Sequence, residues 1–117
     1  MILAEGYKTL QFVEKNILIG QLLNDKPCDA IVFGSYARGN NKKESDIDIV
    51  FLSNKNKKIE EFISKSPVEM HAHFSNLSEV NQKIKSRDTL ALEIRENHVI
   101  FGNIEEVVRL FMESQND

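Results

Sequence analysis

A chain of 117 residues with 15 basic and 18 acidic side chains and a formal net charge of -3 fits one domain over residues 1–117, long enough to bury its own core. That balance excludes a global field for holding nucleic acid, and the single cysteine, Cys28, excludes an internal disulfide framework. No apolar run reaches the length of a bilayer span and no signal-peptide pattern precedes the first helix, so membrane insertion is not expected and the reading is a cytoplasmic domain.

In chain order, Met1 to Gly6 carry no pattern and are expected to be loose or to touch a partner. From Lys8 to Asn24, the spacing of Leu10, Val13, Ile17, Leu18, Leu22 and Leu23 predicts one helix, closed by Asp25, Lys26 and Pro27. Cys28 is read as an inert thiol opening the first strand. The apolar run Ala30 to Phe33 is a buried strand that stops at Gly34. Ser35 is placed as the N-cap of a short helix through Arg38, with Gly39 as its left-handed C-cap.

The next strand runs from Asp46 to Leu52, and Ser53 to Asn56 form a turn. Ile59, Phe62 and Ile63 mark a short helix ended by Ser66 and Pro67. Val68 to Phe74 alternates strictly, with Val68, Met70, Ala72 and Phe74 on one face and Glu69, His71 and His73 on the other. Asn76 with Glu79, then Asp88, then Asn103 with Glu106 read as starts of three further helices, and His98 to Phe101 is a short strand before the last of them. The fold class is α/β, a small mixed sheet packed with helices.

Chemistry concentrates between Gly34 and Asp48. Asp46 and Asp48 lie two apart on a strand and so share a face. Such a pair suits a hard divalent cation, which takes one or two carboxylates and completes its shell with substrate phosphate. Gly34 and Ser35 at a strand-to-helix turn leave backbone N–H groups open to phosphate. Ser35 can add its hydroxyl, Arg38 is either a phosphate partner or half of a structural ion pair, and Ser45 reads as a turn residue orienting the second strand. Lys42, Lys43, Lys55, Lys57 and Lys58 flank this loop and are read as a solvated face.

Gly34 Ser35, Ala37 Arg38 Gly39 and Ser45 Asp46 with Asp48 resemble the signature of the DNA polymerase β-like nucleotidyltransferases, and among them the minimal nucleotidyltransferases that act as antitoxins beside HEPN-domain toxins. The resemblance implies the polymerase β-like fold and transfer of a nucleoside monophosphate, AMP from ATP foremost, to a hydroxyl acceptor with loss of pyrophosphate. It also implies two Mg2+ ions, with Mn2+ as an alternative, and a nucleotide held by Gly34, Ser35, Arg38 and Ser45. Members use a third acid on a neighbouring strand to complete the metal site with the two aspartates and to act as base on the acceptor hydroxyl, and by the resemblance Glu69 occupies that place, as Glu where Asp is usual. The extra methylene leaves open a second reading, a catalytically weak or silent antitoxin that neutralises by occlusion. A third is an NTP-binding regulatory subunit.

His71 and His73 share the face of Glu69 and are read first as exposed polar residues, with a mixed N/O metal site for zinc or manganese alongside Asp46 or Asp48 as one alternative and a hydrogen bond from one of them to a metal-binding carboxylate as an intermediate reading. The shortness of the chain is read as needing a partner protein that supplies the acceptor surface or is itself the acceptor, by the resemblance through a hydroxyl-bearing side chain of a HEPN toxin, and a homo- or hetero-oligomer is expected.

Overall fold

The computed structural model describes residues 2–42 and 45–115. The elements follow in the order α1 (Ile2–Lys15), α2 (Ile17–Asn24), β1 (Ala30–Phe33), α3 (Gly34–Arg38), β2 (Ile47–Phe51), α4 (Lys57–Ser64), β3 (Met70–Phe74), α5 (Leu77–Lys85), α6 (Thr89–Glu96), β4 (His98–Phe101) and α7 (Ile104–Gln115). The sheet has the order β3-β2-β1-β4. β1 runs antiparallel to both β2 and β4, and β2 runs parallel to β3. This is the mixed α/β architecture expected from the sequence.

Alternation along the strands divides the core into two layers. Ala30, Val32, Ile47, Ile49, Phe51, Met70, Val99 and Phe101 pack against Phe12, Ile19, Leu23, Ile59 and Phe62 from α1, α2 and α4. On the other face, Ile31, Phe33, Val50 and Ile100 meet α5, α6 and α7 through Val80, Ile84, Ala91, Ile94, Val107, Val108 and Phe111. Burying both faces explains why β1 is apolar throughout and why β4 is apolar after His98, itself buried.

The helix starts at Asn76, Asp88 and Asn103 are as expected, each side chain accepting from the backbone N–H three residues on, of Glu79 at 2.9 Å, Ala91 at 3.1 Å and Glu106 at 3.0 Å. Asn56, read as a turn residue, also caps α4 by accepting from Ile59 N at 3.0 Å.

Two expectations at the N-terminus are corrected. Ile2 to Gly6 belong to α1 rather than a loose arm, with the buried Glu5 held by Lys8 at 3.0 Å and approached by His98 at 2.9 Å, while Met1 lies outside the described residues. The single helix of Lys8 to Asn24 is instead two, broken at Asn16, whose side chain donates to Phe12 O at 3.1 Å. Gly20 lets α2 fold back, since a Cβ there would stand 2.9 Å from Val13 Cγ1. Cys28 precedes β1 instead of opening it; burial and the neighbouring Asp29 charge raise its thiol pKa, consistent with an inert thiol.

Candidate functional site

The two strands that carry the acidic motif are brought together by register. Asp48 pairs with Phe33 of β1 on one side and His71 of β3 on the other, and Phe33 pairs with His98 of β4. One row across the sheet therefore reads His98, Phe33, Asp48, His71, with all four side chains on the face covered by α5, α6 and α7. Asp46 lies one residue before β2, a small retreat from the expected strand start, and still projects to the same face as Asp48.

The two carboxylates converge on one imidazole. His71 Nε2 is 2.9 Å from Asp46 Oδ2, and its Nδ1 is 3.5 Å from Asp48 Oδ1. His71 is thus in contact with both acids while its side chain remains 57% exposed, so it is an exposed polar residue as expected and one that also reaches the carboxylates; strand alternation gave its face, and the β2–β3 register gives its partners. Both carboxylates are partly exposed, so solvent and ligand reach them.

Gly34 completes the acidic corner. Its φ of 72° is in the left-handed region, and a Cβ there would collide with Asp48 Oδ2. The turn therefore brings the backbone against the carboxylate, which a side chain would prevent. Gly39 closes α3 with φ 77°, as expected. Ser35 is not the N-cap: the helix already begins at Gly34, and Phe33 occupies the cap position without a side-chain bond. The physical reason is that Gly34 makes the turn through its backbone, one residue earlier than a serine cap would.

Ser45 orients the approach to β2 as expected: its hydroxyl accepts from Lys42 N at 2.8 Å while its own N–H donates to Lys42 O at 3.0 Å. Tyr36 is buried against Phe12, with ring centres 6.3 Å apart, and donates to Ser45 O at 3.4 Å. Burial first, and then the charge of Asp46, push the Tyr36 phenol pKa up, so it stays a donor here. Arg38 is in an ion pair with Glu93 of α6 at 2.9 Å, the structural alternative of the two considered.

Glu69 lies just before β3, with its carbonyl accepting from Ile47 N at 2.9 Å and its side chain exposed. Its carboxylate makes no hydrogen bond or ion pair among the described residues. Lys43 of the basic flank lies outside the described residues. Among those described, no group of three or more His, Cys, Asp and Glu side chains forms a cage for a metal. A pair of carboxylates open to solvent can hold a hard cation that draws its remaining ligands from a phosphate substrate.

No helix among the described residues is long and apolar enough to cross a membrane. Comparison with curated proteins finds no match, and comparison with solved structures finds none. A family model described as nucleotidyltransferase domain matches residues 17–112, a span that holds the Gly34 turn, both aspartates and all four strands. The chain belongs to the nucleotidyltransferase domain family.

Proposed function

We propose that this chain transfers a nucleoside monophosphate, AMP from ATP, to a hydroxyl group on a partner protein, a HEPN-domain toxin, and so acts as an antitoxin. Transfer from a nucleoside triphosphate with a divalent metal is general to the family. The observation that carries the site assignment is that Asp46 and Asp48 flank one imidazole beside the Gly34 turn, Asp46 at 2.9 Å from His71 Nε2 and Asp48 at 3.5 Å from its Nδ1.

Asp46 and Asp48 would hold Mg2+, or Mn2+ in its place, which supplies neutralisation of the triphosphate charge. Gly34 and Ser35 offer backbone and hydroxyl donors to the triphosphate tail, and Ser45 fixes the loop that leads to Asp46. Glu69, exposed at the start of β3, accepts the proton of the acceptor hydroxyl as its oxygen forms the bond to the α-phosphorus. The bond from that phosphorus to the bridging oxygen breaks, and pyrophosphate leaves with the electron pair. Arg38 serves the tail only by leaving Glu93.

The free position of the Glu69 carboxylate favours one competing reading, neutralisation by occlusion with a silent site. Co-expression with the HEPN protein separates the two. An AMP-sized increase in that protein's intact mass, lost with Asp46→Asn together with neutralisation, supports transfer; neutralisation that survives Asp46→Asn without any mass change overturns it.

A further inference from the structure

β3 forms an outer edge of the sheet, and among the described residues it pairs only with β2. Ile47 N donates to Glu69 O at 2.9 Å and Ser75 N donates to Phe51 O at 3.1 Å. In a parallel ladder alternate residues face the neighbouring strand, so the odd-numbered residues of β3 face β2 and the backbone N–H and C=O groups of Ala72 and Phe74 point away from the sheet. Both residues line a cavity of about 250 Å³ between this edge and α5 and α6.

The rest of that lining has Val50, Val80, Leu90, Ala91 and Ile94 as its apolar walls, with His73, Ser75, Lys83 and Asp88 as its polar members. A cavity with apolar walls and a strip of unpaired backbone donors and acceptors suits a flat heteroaromatic ring, apolar on its faces and polar along one edge. Its place relative to the carboxylates is also fixed by register. His73 pairs with Val50 and His71 with Asp48, so the cavity begins two residues along β3 from the acidic corner, roughly 7 Å away. That is the reach of one ribose.

The wall is held in a defined shape. Asp88 caps α6 through Ala91 N at 3.1 Å, and the preceding residue, Arg87, takes φ 61°, a left-handed conformation unusual for a side chain of its size. The His73 ring lies 5.7 Å from that of Phe33, which pairs with Asp48 and immediately precedes Gly34. The cavity and the acidic corner are therefore two parts of one continuous sheet face.

We infer that the cavity between β3 and α5–α6 takes the base of the nucleoside triphosphate, and that the free backbone edge at Ala72 and Phe74 reads the base's polar edge. This rests on the reading of the chain as an NTP-using transferase. An exposed strand edge that also invites unwanted pairing with other chains here has a use.

Titration calorimetry in the presence of Mg2+ tests the inference with two ligands, ATP and inorganic tripolyphosphate, which shares the charge and lacks the base. Ala72→Pro removes one outward N–H at a sheet edge, where proline is tolerated, and Leu90→Trp fills the cavity from a half-buried position. Asp48→Asn reports on the acidic corner independently. The wild type should bind ATP about ten-fold tighter than tripolyphosphate. Ala72→Pro and Leu90→Trp should both reduce the ratio to near one with tripolyphosphate affinity unchanged, while Asp48→Asn weakens both ligands.

A preference for ATP that persists in either variant, folded with the wild-type melting temperature, would overturn the base site, as would equal binding of the two ligands by the wild type. Loss of both ligands in Asp48→Asn would still stand behind the transferase reading in those cases. A wild type that binds neither ligand overturns both.

Discussion

Gly34 lies so close to Asp48 that the backbone of one occupies the space a side chain would need beside the carboxylate of the other. The contact joins the turn after β1 to the acidic strand β2 and ties backbone conformation to the position of a candidate ligand. Gly34→Ala meets two penalties, a φ of 72° and a collision with Asp48 Oδ2. It should cost about 1 to 3 kcal/mol of stability in chemical denaturation. It should also weaken Mg2+-dependent ATP binding more than its loss of stability explains, because Asp48 must move. An alanine variant of wild-type stability and wild-type binding would show that the turn relaxes freely.

Much of this corner was legible in the sequence. Asp46 and Asp48 fall on one face by the two-residue period, and Gly34 and Gly39 mark a tight turn and a helix end by their lack of a side chain. Local rules of that kind suffice when the determining atoms lie within a few residues. His71 could be assigned to a face but not to its partners, because its contact with Asp46 and Asp48 depends on a parallel register fixed by the whole β2–α4–β3 unit. The same limit applies to Arg38, whose partner Glu93 is 55 residues away. The break at Asn16 was hidden for another reason: apolar spacing continues through it, and only the fit of Gly20 against Val13 reveals two helices.

That fit gives a second prediction. Gly20→Val brings Cβ and two methyl groups against Val13, where a Cβ alone would already stand 2.9 Å from Cγ1. The cost should be about 1 to 3 kcal/mol by denaturant unfolding. Adding Val13→Ala should return part of it, and a double-mutant cycle with no coupling would place the close approach elsewhere.

Stability should also depend on pH through His98. Burial, and then the charge of Lys8, lower its pKa from the ordinary 6.5, against the raising influence of Glu5 and the Ile94 carbonyl. His98 Nδ1 lies 2.9 Å from Ile94 O, which places its proton there, while the 2.9 Å approach of Nε2 to Glu5 Oε2 lacks hydrogen-bond alignment. Because the folded pKa is depressed, the unfolded chain binds more protons at acid pH. The neutral ring's contribution is full above pH 6.5 and is lost as pH falls below that value towards the folded pKa. Thermal melts across this range should show a smaller acid slope for His98→Gln than for the wild type; equal slopes would contradict the assignment.

The Arg38–Glu93 pair joins α3 to α6 at 2.9 Å, but each side chain is 39% exposed. Solvent screening limits such a pair to about 0.2 to 1 kcal/mol, which a double-mutant cycle with Arg38→Ala and Glu93→Ala would measure. Coupling well above that range would make the pair a main tie between these helices.

In the proposed function Asp46 and Asp48 carry nucleotidyl rather than phosphoryl transfer. The direct measurement is transfer of label to the proposed acceptor, a HEPN-domain protein, from ATP labelled at the α-phosphate and, in parallel, at the γ-phosphate, with wild type and Asp48→Asn. The account predicts label on the partner from α-labelled ATP only, abolished by Asp48→Asn. Label from the γ-position, or α-label undiminished in Asp48→Asn, would contradict it.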